Sequence, residues 1–413
     1  MTAVAQTFKP RDEAELAAAI NLLRASGRAA EVRGARSKQA MGRGVDHGAV
    51  IETTGLSGIT LYEPTELVMG ARAGTPVAQI ESALAERGQM LAFEPLDLGP
   101  VTGGPGGIHT IGGVFATGIS GPRRIVVGAA RDHLLGVRAV NGRGEVFKSG
   151  GRVLKNVTGY DVARALTGSW GTLAVLSEVT FKVMPRAERT ETLVFSGHTD
   201  EIAIELMSLA LGTPFEVSGA VHLTAALTSR LELRSLAREA APVTAIRVEN
   251  FASSIEYRAG RLQDALKIYG TPLRLGHEAS LQFWGEMRRL SVFVPLADEP
   301  ETQVWRISTA PRQAAKVMAA IRRNTSAEAC FDASGGIIWL EVPASADAGA
   351  ADLRRILAGH GGHATLMRAD ASVRASVEVF HPMTAAVARI TAGLKDAFDP
   401  DRVLNPGRMY ASL

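Results

Sequence analysis

Nine glycines fall within the 23 residues from Gly99 to Gly121. A regular helix or strand does not tolerate that density, because each glycine costs conformational entropy and offers no side chain to pack. Such a stretch instead supplies backbone that can approach a ligand or a neighbouring element closely. The chain holds 43 glycines in 413 residues without any Gly-X-Y period, which excludes collagen. A second amide-rich stretch, Arg33-Gly34-Ala35-Arg36-Ser37-Lys38, follows an expected strand. Each stretch can donate backbone N–H groups to a diphosphate, with Arg36, Lys38 and Arg123 nearby for charge. Read from the residues alone, each is equally compatible with a tight loop. The usual mononucleotide signatures are missing. No Gly-x-x-x-x-Gly-Lys-Ser/Thr occurs, and Gly142-Arg143-Gly144 lacks the third glycine of a dinucleotide turn.

Around these stretches helices and strands alternate. Asp12 and Glu15 predict a capping box for a helix with Leu16, Ile20 and Leu23 on one stripe, ended at Gly27. Strands are expected over 30–33, 49–53, 59–62 and 66–71, and Thr75-Pro76 opens a helix that stops at Gly88. Asn141-Gly142-Arg143-Gly144 predicts a hairpin between strands over 134–140 and 145–148. A helix over 155–166 and a long strand over 173–184, ended by Pro185, complete this region. Composition then shifts at 185–189. Beyond it, strands over 192–195, 244–249, 303–308, 336–341 and 363–367 alternate with helices over 201–211, 314–323 and 352–358. That pattern predicts one sheet with helices on a face, built from two related halves without a visible sequence repeat. A last helix is expected over 384–397.

A formal net charge of +3 is too small to argue for nucleic acid. The single cysteine, Cys330, excludes an internal disulfide, a cysteine-ligated zinc site and an iron–sulfur cluster within this chain. It suits a reducing cytoplasm. No signal peptide is expected at the start, and no run approaches the ~18 apolar residues of a membrane span. Membrane contact is therefore expected only through a partner, at the inner face.

Several motifs occur in the order found in vanillyl-alcohol-oxidase (PCMH) type FAD-binding domains. They are Arg33-Gly34 with its loop, Thr110-Ile111-Gly112-Gly113, Gly121-Pro122-Arg123-Arg124, Arg131-Asp132-His133-Leu134-Leu135-Gly136 and Gly168-Ser169-Trp170-Gly171-Thr172-Leu173. A finer match is Gly150-Gly151-Arg152-Val153-Leu154-Lys155-Asn156-Val157-Thr158-Gly159-Tyr160-Asp161, together with Trp305-Arg306-Ile307-Ser308 and the ending from Asp399 to Arg408. With these the chain, from about residue 8 to residue 410, closely resembles the FAD-binding E-subunit family of glycolate oxidase (glycolate dehydrogenase).

The resemblance implies an α+β fold. A PCMH-type FAD-binding domain of two α/β subdomains would occupy 1–187, and an α/β cap with a largely antiparallel sheet would occupy 188–375. A C-terminal segment, 376–413, would return to the first domain. It implies non-covalent FAD, since the 33–38 loop carries neither histidine nor cysteine and His109 reads as a loop residue. Gly34, Ala35, Arg36, Ser37 and Lys38 would wrap the pyrophosphate. Thr110, Gly112, Gly113 and Thr117 belong to a helix start facing the phosphates or the flavin. Gly121 and Arg123, then Gly128 and Asp132, would lie along the cofactor, with Gly171 on the adenine side and Asn405 returning to the flavin domain. Lys155 and Tyr160 are candidates for positions near the flavin. Many relatives carry Gly-Ser-Glu-Gly where this chain has Trp170, and a glycine where it has Ala174.

The resemblance further implies a complex with a catalytic FAD subunit and an iron–sulfur subunit, oxidising glycolate or a similar small 2-hydroxy acid. Related D-2-hydroxyacid dehydrogenases carry a His-Gly-Asp-Gly-Asn-x-His type motif that is missing here. No residue is therefore assigned to catalysis and no metal site is expected. His360, His363 and His381 read as loop or structural residues, and Trp284, Trp305 and Trp339 as cap core. Arg288-Arg289 and Arg322-Arg323 read as solvated helix faces or a docking patch. The alternatives are a non-catalytic flavin-binding scaffold for the catalytic subunit, or a stand-alone FAD oxidase of another hydroxyl substrate.

Overall fold

The computed structural model describes residues 6–44, 48–153, 159–296 and 301–413. The first helix, Glu13–Ala25, begins where Asp12 accepts from the Glu15 N–H at 2.8 Å. Glu15 turns its own carboxylate to the Arg11 N–H, so the second half of the expected capping box is displaced by one residue. Leu16, Ile20 and Leu23 are buried with Ile51, Val140 and Val175. Strands β1 (Gln6–Phe8), β2 (Glu31–Arg33) and β3 (Ala49–Glu52) form a parallel sheet ordered β1-β3-β2.

Next along the chain come β4 (Ile59–Glu63), β5 (Val68–Arg72), β6 (Gln89–Met90), β7 (Leu134–Asn141), β8 (Val146–Gly150), β9 (Ala174–Lys182) and β10 (Met184–Pro185). Five of them make an antiparallel sheet ordered β4-β5-β9-β7-β8, while β6 and β10 pair with each other. The long strand therefore stops at Lys182, and Pro185 lies in the short strand beyond it rather than ending the long one. The helix Val77–Ala85 has Pro76, not Thr75, at its N-cap. Thr75 is buried, donating to the Arg72 carbonyl at 2.7 Å and accepting from the Gly58 N–H at 2.9 Å. The start of the helix expected over 155–166 lies outside the described residues, and Val162–Leu166 is helical. Tyr160 is 95% exposed.

The second half builds one eight-stranded antiparallel sheet from β11 (Arg189–Ser196), β12 (Val217–Leu223), β13 (Val243–Asn250), β14 (Leu273–Leu275), β15 (Thr302–Ser308), β16 (Glu328–Asp332), β17 (Ile337–Pro343) and β18 (His363–Arg368). Its order is β14-β11-β13-β12-β16-β17-β15-β18. Each run of four strands has the same spatial order, fourth-first-third-second, with a helix after its first and third strands. Those helices are Asp200–Leu211 and Ala252–Ala265, then Pro311–Arg322 and Ala350–His360. The repeat is structural, and the halves join where β12 pairs with β16. Strands β12 and β16 escape the alternation rule for physical reasons. Every residue of β12 is buried, and β16 reads Glu-Ala-Cys-Phe-Asp with a carboxylate at each end. Helices cover one face of this sheet over Leu193, Trp305, Phe331 and Leu340. On the other face Val221, Cys330 and Trp339 pack with Leu96 and Leu98 of the first half. The three tryptophans are core, as expected.

The helix Ala385–Phe398 brings the chain back to the first half. Lys395, 1% exposed, donates its ammonium to the carbonyls of Thr172 at 2.6 Å and Leu404 at 2.8 Å, and to Asp399 Oδ2 at 2.7 Å. Asp399 also accepts the N–H groups of Val403 and Leu404, both at 2.9 Å. Removing one member of a buried, fully bonded pair strands the other. Lys395→Met should therefore lower stability by about 3–5 kcal/mol in urea unfolding, whereas Arg24→Ala, which loses the exposed pair with Asp401, should cost about 0–1 kcal/mol. Equal effects would contradict this account of the segment.

Candidate cofactor site

A cleft opens at the carboxyl ends of β2 and β3, where parallel strands leave room for a ligand. Its walls are the loop from Arg33 to Gln39, Thr53, the start of the helix Ile111–Thr117, the Ser169-Trp170-Gly171 turn, the beginning of β9, and Asn405 with Arg408. The two amide-rich stretches of the sequence thus meet in space. Of the expected site residues the cleft gathers Gly34, Ala35, Arg36, Ser37, Lys38, Thr110, Gly112, Gly113, Thr117, Gly171 and Asn405.

The 33–38 loop is built to present donors. Among the described residues no acceptor is found for the amides of residues 35–38. Arg36 is held at φ +68, a left-handed conformation that costs a side-chain-bearing residue and turns successive N–H groups toward one concavity. Lys38 has no carboxylate within ion-pair distance among the described residues, and burial pushes its ammonium down to about 8 although Asp97 pulls the other way. His109, 5% exposed with neither ring nitrogen hydrogen-bonded, is pushed down to about 4 by burial and by Lys38, so it is neutral near pH 7. The loop passes so close to Thr110 that a Cβ on Gly34 would fall 2.5 Å from the threonine Oγ1.

The helix Ile111–Thr117 is seated differently from the expectation that its first amides face phosphates. The Ile111 N–H donates to the Thr75 carbonyl at 3.0 Å and the Gly112 N–H to the Ala73 carbonyl at 2.8 Å. Thr110 Oγ1 caps the Gly113 N–H at 3.4 Å. Gly112 is glycine because a Cβ there would lie 2.6 Å from Ala73 Cβ and 2.7 Å from its carbonyl oxygen. At Gly113 the only near neighbour of a Cβ would be Thr110 Oγ1 at 3.3 Å, so that side faces the cleft. Thr117 turns its hydroxyl back to the Gly113 carbonyl at 2.8 Å.

Asn405 lines the cleft, yet its amide is committed to backbone. Oδ1 accepts from the Val32 N–H at 2.9 Å, and Nδ2 donates to the Trp170 carbonyl at 2.8 Å. It laces β2 to the turn carrying Gly171, which has φ +68. Arg408, not singled out from the sequence, is 8% exposed and donates to the Lys38 carbonyl at 3.1 Å. Its place at the end of the Asn405-Pro406-Gly407 motif was the available signal.

Four expected residues lie outside the cleft. Gly121 donates its N–H to the carbonyls of Phe93 and Glu94. Arg123 is not a free cation for a diphosphate: it pairs with Glu94 at 3.4 Å and with Glu249 of β13. Arg247 donates to the same Glu94 at 2.8 Å, and against the cost of burial these two guanidinium groups hold Glu94 down at about 2. Asp132 caps the Ala129 N–H at 2.9 Å beside Gly128, which has φ +86. Arg288, expected on a solvated face, bonds the Pro95 carbonyl and Glu81 and so ties the two halves together. Arg322 likewise pairs with Asp200 at 2.5 Å. His360 reaches Gln313 at 3.3 Å, His363 and His381 have ring centroids 6.4 Å apart, and His381 takes a hydrogen bond from Arg354. Among the described residues no group of three histidine, cysteine or acidic side chains is placed to hold a metal.

A family model described as an FAD binding domain matches residues 4–150. Glycolate oxidase subunit GlcE of Escherichia coli (strain K12) is 34% identical over 382 residues, covering 92% of this chain and 93% of that protein. Glycolate oxidase subunit GlcD of Bacillus subtilis (strain 168) is 37% identical over 87 residues, 21% of this chain and 18% of that protein. Among solved structures, 4-ethylphenol oxidase from Gulosibacter chungangensis shares the fold, with a TM-score of 0.72 at 12% identity over 98% of this chain and 89% of that one. The cleft fits FAD on its own terms. It offers four unspent amides in a row, a lysine ammonium without a carboxylate partner, and glycine backbone where a Cβ would intrude.

The two adjacent glycines should fail in different ways. Gly112→Val drives a branched side chain into Ala73 and should give poorly folded protein, whereas Gly113→Val should fold but lose FAD because its side chain occupies the cleft. His360→Ala should keep full flavin occupancy. Absorbance at 450 nm per chain, read with a thermal melt, checks all three.

Lys38 gives a pH dependence with a definite sign. Its pKa in the free cleft is depressed to about 8 from 10.5, and a bound diphosphate favours the charged ammonium. Below pH 8 the proton is present with or without ligand. Above it, binding takes up a proton, so FAD affinity should fall by up to about tenfold per pH unit as pH rises. Lys38→Met should bind more weakly at pH 7 and show none of this alkaline loss in flavin titrations.

Proposed function

The chain belongs to the family of the glycolate oxidase subunit GlcE, an FAD-dependent oxidoreductase, and on that premise we propose that it serves in a complex oxidising glycolate to glyoxylate. Residues 1–187 would form the FAD domain, 188–375 the cap and 376–413 the returning segment. What carries the reading is the cleft at the end of β2, whose unspent amides and uncompensated Lys38 suit a diphosphate, in a chain that matches a glycolate oxidase subunit along nearly its whole length. FAD, when bound, supplies hydride acceptance and can return the electrons one at a time. The chain's part is to bind and orient. The loop of residues 34–38 would hold the pyrophosphate, Gly113 would leave room beside it, and Asn405 with Arg408 would fix the loop's position. Attachment would be non-covalent, because the loop carries neither histidine nor cysteine and His109 is buried and neutral beside it.

Electrons would leave through an iron–sulfur subunit, since the single cysteine of this chain, Cys330, is buried and raised well above its ordinary pKa by burial. Among the described residues no helix is long and apolar enough to cross a membrane, so membrane contact would come through partners. The missing histidine-rich motif favours a division of labour, in which the isolated chain does not oxidise glycolate at a useful rate and the complex nevertheless requires it.

Acid precipitation of the purified chain should release all of its yellow colour. Anaerobic glycolate should then leave the flavin of the isolated chain largely oxidised, while the reconstituted partners should reduce a quinone analogue only when this subunit is present. Fast flavin reduction in the isolated chain, or full activity of the partners without it, would sink the division of labour. Turnover with oxygen alone would instead identify a stand-alone oxidase.

A further inference from the structure

Lys38 carries chemistry beyond holding a phosphate. Its backbone is fixed from two sides, because the carbonyl accepts from the Met41 N–H and from Arg408 Nη2, each at 3.1 Å. The residue lines the cleft and is half-buried. Among the described residues nothing accepts a hydrogen bond from its ammonium. Asp97, the acid in electrostatic range, is spent on its own loop. Its Oδ2 accepts the Gly107 N–H at 2.6 Å and its Oδ1 the Gly99 N–H at 3.4 Å, with His109 Nδ1 3.6 Å away. His109 itself is buried and neutral near pH 7.

An ammonium without a partner in a half-closed cleft gives up its proton readily, and the amine that remains is a nucleophile. Burial pushes Lys38 down to about 8. About a tenth of the chains then hold the free amine at pH 7, against under about one in a thousand for a lysine at its ordinary value. The same cleft offers the unspent amides of residues 35–38, which suit a carboxylate as they suit a phosphate. A molecule that joins an aldehyde to a carboxylate therefore meets donors for one end and an amine for the other. Glyoxylate is such a molecule.

We propose that Lys38 of the flavin-free chain forms a reversible imine with a small aldehyde acid, glyoxylate, and that this adduct and FAD exclude one another. The Nζ lone pair attacks the aldehyde carbon and forms the C–N bond. The carbonyl oxygen then leaves as water with the two amine protons, and nothing is oxidised or reduced. The adduct replaces a cation by a carboxylate where the diphosphate has to bind. Cofactor loading would thereby fall as product accumulates. The choice of glyoxylate rests on the reading of the chain as a glycolate oxidase subunit, whereas the reactive amine does not.

The flavin-free and FAD-loaded chains are incubated with glyoxylate and cyanoborohydride, which reduces the imine to carboxymethyl-lysine, and the labelled peptides are mapped by mass. Lys38 of the flavin-free chain should label about tenfold or more faster than the exposed Lys148 and Lys267. That preference should shrink several-fold when propanal, which has no carboxylate, replaces glyoxylate. FAD should suppress labelling at Lys38 and leave the two exposed lysines unchanged. Without the reductant, glyoxylate should slow FAD uptake, read at 450 nm, and dilution should restore it. Lys38→Arg keeps a cation for the diphosphate but forms no imine, so its FAD uptake should ignore glyoxylate. Lys38→Met, with weaker FAD binding, should ignore it as well. Labelling of Lys38 no faster than of Lys148, undiminished labelling in the FAD-loaded chain, or glyoxylate slowing FAD uptake equally in Lys38→Arg would overturn the proposal. If Lys38 forms the adduct and the reconstituted complex does not oxidise glycolate, the site stands and the glycolate reading falls. If the complex oxidises glycolate and Lys38 stays unlabelled, the site falls and that reading stands.

Discussion

The architecture of the cleft depends on a buried ion pair near the end of the chain. Lys395 and Asp399 are almost completely enclosed, and between them they bond the carbonyls of Thr172 and Leu404 and the amides of Val403 and Leu404. Burial depresses the lysine, and Asp399 restrains that depression. A pair this dry is stable only because every polar atom around it is answered. Its consequence lies one turn further along the chain. With Leu404 fixed, Asn405 reaches Val32 on one side and Trp170 on the other, and Arg408 reaches Lys38. The last forty residues therefore set the distance between the two loops that form the cleft.

Close approach is the second constraint, and it explains why the glycines cannot be exchanged for one another. Gly34 is pressed on Thr110 and Gly112 on Ala73, so these two are needed for packing of the frame. Gly113 borders open space and is needed for what enters it. The amides follow the same division. Those of Ile111 and Gly112 are spent on carbonyls, whereas those of residues 35–38 remain available. A preformed row of donors costs nothing to reorganise when an anion arrives.

Between the halves, charge is sorted into paired and unpaired groups. Arg123, Glu94, Arg247, Ser218 and Glu249 form one continuous network, with Ser218 accepting from Arg247 and donating to Glu249 at 2.6 Å. Arg288 adds a second strut through the Pro95 carbonyl. Asp332 lies outside this network, its Oδ1 buried without a partner among the described residues. The contrast matters because a linked network fixes the geometry of its members, while an unanswered group beside it does not.

Much of this protein was legible in its sequence because the signals are local. The capped helix Glu13–Ala25, the hairpin at Asn141-Gly142-Arg143-Gly144 and the strands β2 to β5 depend on neighbouring residues, and the order of short motifs was enough to identify the family and FAD. Both loops of the cleft were visible as unusual backbone. Side-chain roles were less accessible. Arg123 reads as a phosphate ligand until Glu94 and Glu249, 29 and 126 residues away, are seen to hold it. Arg408 reads as an ordinary terminal residue until it is found under Lys38. Strands β12 and β16, without alternation, acquire their identity only by pairing with β13, with β17 and with each other at the centre of the sheet. The sequence by itself determined which backbone could come close to a ligand, because glycine content and turn chemistry are properties of a few adjacent residues. Only the tertiary structure decided which donors and charges stay free at that place, because a hydrogen bond is spent by whichever partner the fold brings within about 3 Å.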